Sequence, residues 1–165
     1  GTGSLRPALG DCDYTALEPN ADYVAALRHS LCEGEGTVIH GGTRDLSHVE
    51  GPFDRVLMMA LLHHLDDATA TAACRDAAAL LAPGGRFITL DNCLHDGQGR
   101  VARRLALMDR GANVRTIDGY RGVVSEAFTS VRVYLSTDLL RVPYSHVWMV
   151  GEGPAPSTPD GHAGS

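Results

Sequence analysis

Apolar and polar positions alternate along this chain in blocks whose period switches between two and three to four. Tyr14 to Leu17 is a short β-type run that stops at Glu18-Pro19-Asn20. Asn20 can cap a following helix in which Tyr23, Val24, Leu27 and Leu31 share one apolar face. Thr37 to Ile39 is the next strand, broken by Gly41-Gly42. Phe53 to Met59 is a near-continuous apolar run, the pattern of a strand covered on both faces. Asp66 or Asp67 caps an alanine-rich helix to about Ala82, where Pro83-Gly84-Gly85 makes a tight turn. A strand from Arg86 to Leu90 ends at Asp91. Helices are expected over Gln98 to Met108 and Thr116 to Phe128, and closing strands over Val131 to Ser136 and Ser145 to Val150. Gly151 to Ser165, rich in Gly, Pro, Ser and Ala, reads as a flexible tail.

Strands alternating with helices of this length predict an α/β fold: βαβ units in a mostly parallel sheet covered by helices. Ligands of such sheets bind beyond the carboxyl ends of the strands. The residues that matter are therefore Glu18, Gly41 to Asp45, Met59 to His64 and Asp91 to Cys93.

Composition narrows the chemistry. The 165 residues carry a net charge of −6, and all 14 basic residues are arginines. Without lysine there is no P-loop lysine, Schiff base or Ser–Lys pair. The acidic balance argues against nucleic acid, and the longest apolar run, Val56 to Leu62, is far short of a membrane span. Cys12, Cys32, Cys74 and Cys93 are irregularly spaced and read as reduced, buried thiols.

Several features then converge. Gly1-Thr2-Gly3 lets backbone approach a ligand closely, and Glu18 ends the next strand, where an acid can accept from both ribose hydroxyls of a nucleoside. The Phe53-Asp54-Arg55-Val56 strand leads to Leu62-His63-His64-Leu65, then to Leu81-Ala82-Pro83-Gly84-Gly85-Arg86-Phe87. This order resembles the class I (Rossmann-like) S-adenosylmethionine-dependent methyltransferases, by motif over Gly1 to Asp91 and by general pattern to Val150.

The resemblance implies a doubly wound, mostly parallel sheet with helices on both faces and the last strand antiparallel, in one such domain over residues 1–150, with 94–120 a substrate lid and 151–165 a tail. It implies S-adenosylmethionine as donor and S-adenosylhomocysteine as product. Gly1 and Gly3 match the end of the glycine-rich motif, Glu18 the ribose-binding acid, and Pro19 and Asn20 the adenine side. Met59, Ala60 and Leu61 match the segment lining the adenosine and sulfonium. Gly42 or Thr43 stands where the family often has an acid for the adenine amino group; Arg44 approaches by its backbone or by stacking. The family's first strand, normally central in the sheet, is absent from this sequence. Its two neighbours should lose a hydrogen-bond partner each, as expected of a truncated or incompletely represented methyltransferase.

For a hydroxyl acceptor, His63 or His64 is the natural general base, with pocket lining or a structural role as the alternative. Asp91 orients the acceptor or acts as base. Asp91-Asn92 matches the metal-binding pair of catechol-type relatives, but Met58 or Met59 occupies the third ligand's place, so no metal is expected. Arginines in the lid, Arg110 and Arg115 among them, suggest an acceptor with a carboxylate or phosphate; the alternative is a solvated amphipathic helix. Tyr120 and His146 complete the candidate acceptor residues. The expectation is a cytoplasmic enzyme acting on a small molecule, compatible with a homodimer. The competing readings are a noncatalytic remnant or partner subunit, and a nicotinamide-dependent dehydrogenase.

Overall fold

The computed structural model describes residues 1, 3–31, 36–109 and 111–155. Expectations placed on Thr2, Cys32, Arg110 and residues 156–165 lie outside the described residues. The chain forms two compact units, Gly1–Val49 and Glu50–Ser165.

The first unit is a βαβ arrangement: β1 (Thr15–Glu18), α1 (Ala21–Ser30) and β2 (Thr37–His40). β1 and β2 are parallel, in register from Thr15↔Thr37 to Glu18↔His40. α1 starts where predicted because Asn20 Oδ1 accepts from the backbone N–H groups of Asp22 (2.9 Å) and Tyr23 (3.2 Å). Val24 and Leu27 bury its inner face, whereas Tyr23 points outward. The Gly1 to Gly3 opening runs into a four-residue 3-10 turn, Arg6–Leu9, with Pro7 in its first turn.

The second unit holds β3 (Phe53–Met59), α2 (Asp67–Ala79), β4 (Leu81–Asn92), α3 (Arg100–Leu107), α4 (Ile117–Ser125), β5 (Phe128–Ser136) and β6 (His146–Pro154). The strand order is β3-β4-β6-β5. β3 and β4 are parallel, and β6 is antiparallel to both β4 and β5. Three strands therefore run one way and the last alone is reversed, as the family resemblance implies. α2 and α4 pack against each other and on this sheet. Ala70, Ala73, Cys74 and Ala77 are the buried stripe of α2, and their small side chains let the helix sit close to its neighbours. Phe87 stacks on Phe128 beneath them, with centroids 5.0 Å apart. Along β6, Val147, Met149 and Gly151 are buried while His146, Trp148 and Val150 are half-buried, the period-two signature of a pleated strand.

The structure departs from the sequence pattern in several places. α3 begins at Arg100, α4 ends at Ser125, and Phe128 opens β5 ahead of the strand expected at Val131. α2 ends at Ala79, not Ala82, because Leu81 already pairs with Phe53, and Pro83-Gly84-Gly85 becomes an irregularity inside β4. β3 does not show the burial of a strand covered on both faces: Asp54 and Arg55 are exposed and only Met58 is buried. Residues 151–154 are not tail but the end of β6, with Gly151 opposite both Val131 and Phe87. Cys74 and Cys93 are buried free thiols, but Cys12 is exposed.

Candidate active site

The chain leaves β3 through Ala60, whose φ of 53° is a left-handed conformation uncommon outside glycine. Its N–H still donates to Leu90 O at 2.7 Å, so the bend occurs while the strand is held. A 3-10 turn, Leu62–His64, follows at once and turns His63 inward, 6% exposed. Beside it, at the carboxyl end of β4, Asp91 is 1% exposed. His63 donates to Asp91 Oδ1 twice, from its backbone N–H (3.1 Å) and from Nδ1 (2.8 Å). Thr89, two residues back on the same face of β4, donates its hydroxyl to Asp91 Oδ2 at 2.8 Å. A carboxylate can only accept, so Nδ1 is the donor in this bond.

A second carboxylate approaches from the segment after α3. Asp109 Oδ1 lies 3.6 Å from His63 Nε2 and is held by the Gly111 N–H at 2.8 Å. Asn113 N–H donates to His63 O at 3.0 Å. Gly111 packs directly on the His63 ring, and a Cβ there would also stand 2.6 Å from the His63 carbonyl oxygen. His64, by contrast, is exposed, its ring 4.0 Å from that of His63. Partial desolvation and the neighbouring His63 hold it below the ordinary histidine range. The pair His63-His64 thus splits: one ring is buried against two acids, the other faces out.

The expected acceptor residues are placed differently from one another. Arg115 turns inward and spends its guanidinium on Asp67, Leu62 O, Leu65 O and Asn113 O. Tyr120 is fully buried and donates its hydroxyl to Asn92 O at 3.0 Å, and desolvation pushes the phenol well above its usual value. Neither presents a free polar group to an acceptor, because each side chain is already paired inside the protein. His146 is half-buried opposite Asn92 across the β4–β6 ladder, and burial holds its pKa below the ordinary histidine value. Its Nδ1 and both amide atoms of Asn92 have no hydrogen-bond partner among the described residues. Among the described residues no group of three His, Cys, Asp or Glu side chains is arranged to hold a metal.

In the first unit, Glu18 ends β1 and is 8% exposed. Its Oε1 accepts from the Asn20 N–H at 2.8 Å, and its Oε2 meets the Gly1 nitrogen. Pro19 is exposed, and its carbonyl is met by His40 Nε2 at 3.0 Å. Gly3, at φ 75°, is pressed against the Leu27 side chain of α1, so packing within the unit already requires a glycine there. Thr43 and Arg44 open a 3-10 turn, Thr43–His48, half-buried and exposed respectively, with Asp45 Oδ2 accepting from the Gly42 N–H at 2.8 Å. In the second unit Met59 and Leu61 are half-buried and Ala60 is exposed.

A family model described as a methyltransferase domain matches residues 1–85, more than half of the 165. The chain belongs to the methyltransferase domain family. Solved structures agree with this at the level of the fold. PigF, determined with SAH, superposes with a TM-score of 0.68 at 19% identity, covering 93% of this methyltransferase chain and 53% of PigF. TnmH gives 0.68 at 25% identity, with coverages of 92% and 48%. The mitomycin 7-O-methyltransferase MmcR gives 0.66 at 21% identity, with coverages of 92% and 47%. The methyltransferase chain thus spans about half the length of the structures it matches. No curated protein matches it.

The sequence gives Thr89, Asp109 and Gly111 no place beside His63. Thr89 carries a faint signal, since it lies two residues before Asp91 on a strand and must share its face. Asp109 and Gly111 belong to the distinctive arginine-rich stretch, where Asp109 reads as a partner of neighbouring arginines; they reach His63 only through the return of the chain after α3.

Proposed function

We propose that this methyltransferase moves a methyl group from S-adenosylmethionine to a hydroxyl of a small-molecule acceptor, with His63 as general base. The observation that carries the reading is the buried Asp91–His63 pair, which engages Nδ1 as a donor and leaves Nε2 facing the neighbourhood of Asp109. His63 Nε2 would take the proton of the acceptor O–H, and the bound cofactor would supply the methyl group that the acceptor oxygen gains. Asp91 and Asp109 then face the two protonated nitrogens of the imidazolium and stabilise its charge.

When bound, the cofactor supplies a methyl on a positively charged sulfur, an electrophile that needs alignment more than activation. Glu18 fits its ribose: a nearly buried carboxylate, oriented by the Asn20 N–H, is the acceptor that two vicinal hydroxyls call for. PigF was determined with SAH, the product of such a transfer. For the acceptor we read an anionic small molecule, since α3 exposes Arg100, Arg103 and Arg104 beside Val101, Leu107 and Met108. That mixture suits an apolar body bearing a carboxylate or phosphate.

Calorimetry of the 165-residue chain with S-adenosylmethionine and S-adenosylhomocysteine tests the cofactor. Mass spectrometry of a panel of hydroxylated aromatic acids and their uncharged amides tests the acceptor. Binding of both cofactor forms and methylation of the acids, lost in His63→Ala, is expected. Binding of a nicotinamide dinucleotide in place of S-adenosylmethionine, or undiminished transfer by His63→Ala, overturns the reading.

A further inference from the structure

The Leu62–His64 turn is three residues long, and its own closing contact, Leu65 N–H to Leu62 O, is a long 3.2 Å. A single 3-10 turn of this kind is not stable by itself. Something else must hold His63 against Asp91, and the surroundings of Arg115 supply it.

Arg115 Nη1 donates to Leu62 O at 2.7 Å and Nη2 donates to Leu65 O at 2.7 Å. The two carbonyls bracket His63-His64, so one rigid guanidinium spans the turn from end to end. Nη1 also reaches Asn113 O (3.1 Å), and Nε is anchored by Asp67 Oδ1 (2.8 Å) in the first turn of α2. The guanidinium carbon lies 5.6 Å from the centroid of the Tyr120 ring. The main chain of Arg115 completes the tie: its carbonyl accepts from the Leu94 N–H at 3.0 Å, three residues beyond Asp91. One residue therefore fastens the turn that carries the base and the strand end that carries its carboxylate. The side chain is 10% exposed, which leaves no face for an acceptor.

We infer that Arg115 is a positioning residue for the His63–Asp91 pair rather than a substrate-binding arginine. The inference rests on the proposed role of His63 for its effect on turnover, but not for its effect on geometry. Lysine is no substitute, because a single ammonium cannot meet two carbonyls and an aspartate in one plane.

The test reads the imidazole directly, by NMR of the histidine-labelled chain, and then reads kinetics. In the wild type the His63 Nδ1–H signal is slow to exchange and the Nδ1-protonated tautomer dominates. In Arg115→Met that signal broadens or vanishes while far-UV circular dichroism is retained. Turnover falls by roughly 10²-fold, as a displacement near 1 Å produces, with the acceptor KM unchanged. Arg115→Lys falls between the two and carries the same test if Arg115→Met does not fold. A raised acceptor KM with unchanged kcat, or an unaltered His63 signal in the variants, overturns the inference. Should His63→Ala keep full activity, the general-base reading fails while the NMR comparison still decides the role of Arg115.

Discussion

His63 Nδ1 stands 2.8 Å from Asp91 Oδ1, and both side chains are almost wholly buried. The same oxygen also accepts from the His63 main chain, so the carboxylate holds the residue by backbone and ring together. Asp91→Asn keeps the shape but removes the negative charge and one of the two acceptor oxygens, so either the His63 donors or the Thr89 hydroxyl must face an amide NH2. Hydroxyl methylation should fall by roughly 10²–10⁴-fold, the usual worth of a positioned base. Cofactor affinity measured by calorimetry should be unchanged, and His63→Ala combined with Asp91→Asn should be no worse than His63→Ala alone.

Gly111→Ala probes the strap across that ring. A Cβ at Gly111 would meet the His63 carbonyl oxygen at 2.6 Å and ring Cγ at 2.9 Å, and the carbonyl cannot rotate away without breaking the turn. Overpacking of this kind costs about 1–3 kcal/mol. A lowered Tm and loss of transfer are expected together; a variant with both unchanged would show that the strap is not seated on His63.

Gly151→Ala tests the end of β6. Its Cβ would lie 2.7 Å from Phe128 Cγ, under the stacked Phe87–Phe128 pair, where ring displacement propagates through the core. The expected destabilisation in urea unfolding is about 1–3 kcal/mol. A flexible tail at this position would tolerate alanine without change.

The thiols should separate by reactivity. Burial pushes Cys74 up to about 12, the nearby Asp91 charge adding to it, and burial pushes Cys93 up to about 11. Each raised thiol contributes stability that is complete below the unfolded value of about 8.5 and is lost as pH rises toward the folded one. Iodoacetamide at pH 8 should label exposed Cys12 and spare Cys74 and Cys93, as read from peptide masses; equal labelling would place the buried pair at the surface.

Asp66 caps α2 by accepting from the Thr69 N–H at 2.7 Å, and the Thr69 backbone, its hydroxyl and then Arg115 hold the carboxyl below its ordinary value. The lowered value makes the cap a source of stability above about pH 3.9, lost as pH falls through the folded value. Asp66→Ala should therefore lower Tm at neutral pH, and the difference from wild type should shrink in acid. A constant difference across that range would show that the carboxylate form is not what caps the helix.

The elements were legible wherever the information was local. Asn20, Asp66 and Thr116 announce their helices because each side chain closes on N–H groups two or three residues ahead. The Phe53 to Met59 strand was read to the residue, and His63, Asp91 and Glu18 were picked out as ends of strands, where α/β sheets place their ligands. Element ends were less legible: Leu81 ends α2 early by pairing with Phe53, and Gly151 belongs to the sheet because Phe128 lies beneath it. Neither partner is near in the chain.

The roles of the charged residues divide along the same line. That an acid, two histidines and an arginine-rich return segment surround the strand ends follows from the sequence alone, as does the α/β class with its mostly parallel sheet. Which histidine meets the acid, and that Arg115 turns inward while the arginines of α3 stay outside, were decided only when β3, β4 and the segment after α3 came together. Periodicity records which way a side chain leaves its own element. It does not record which carbonyls, carboxylates and rings distant segments bring to meet it, and those contacts set the chemistry.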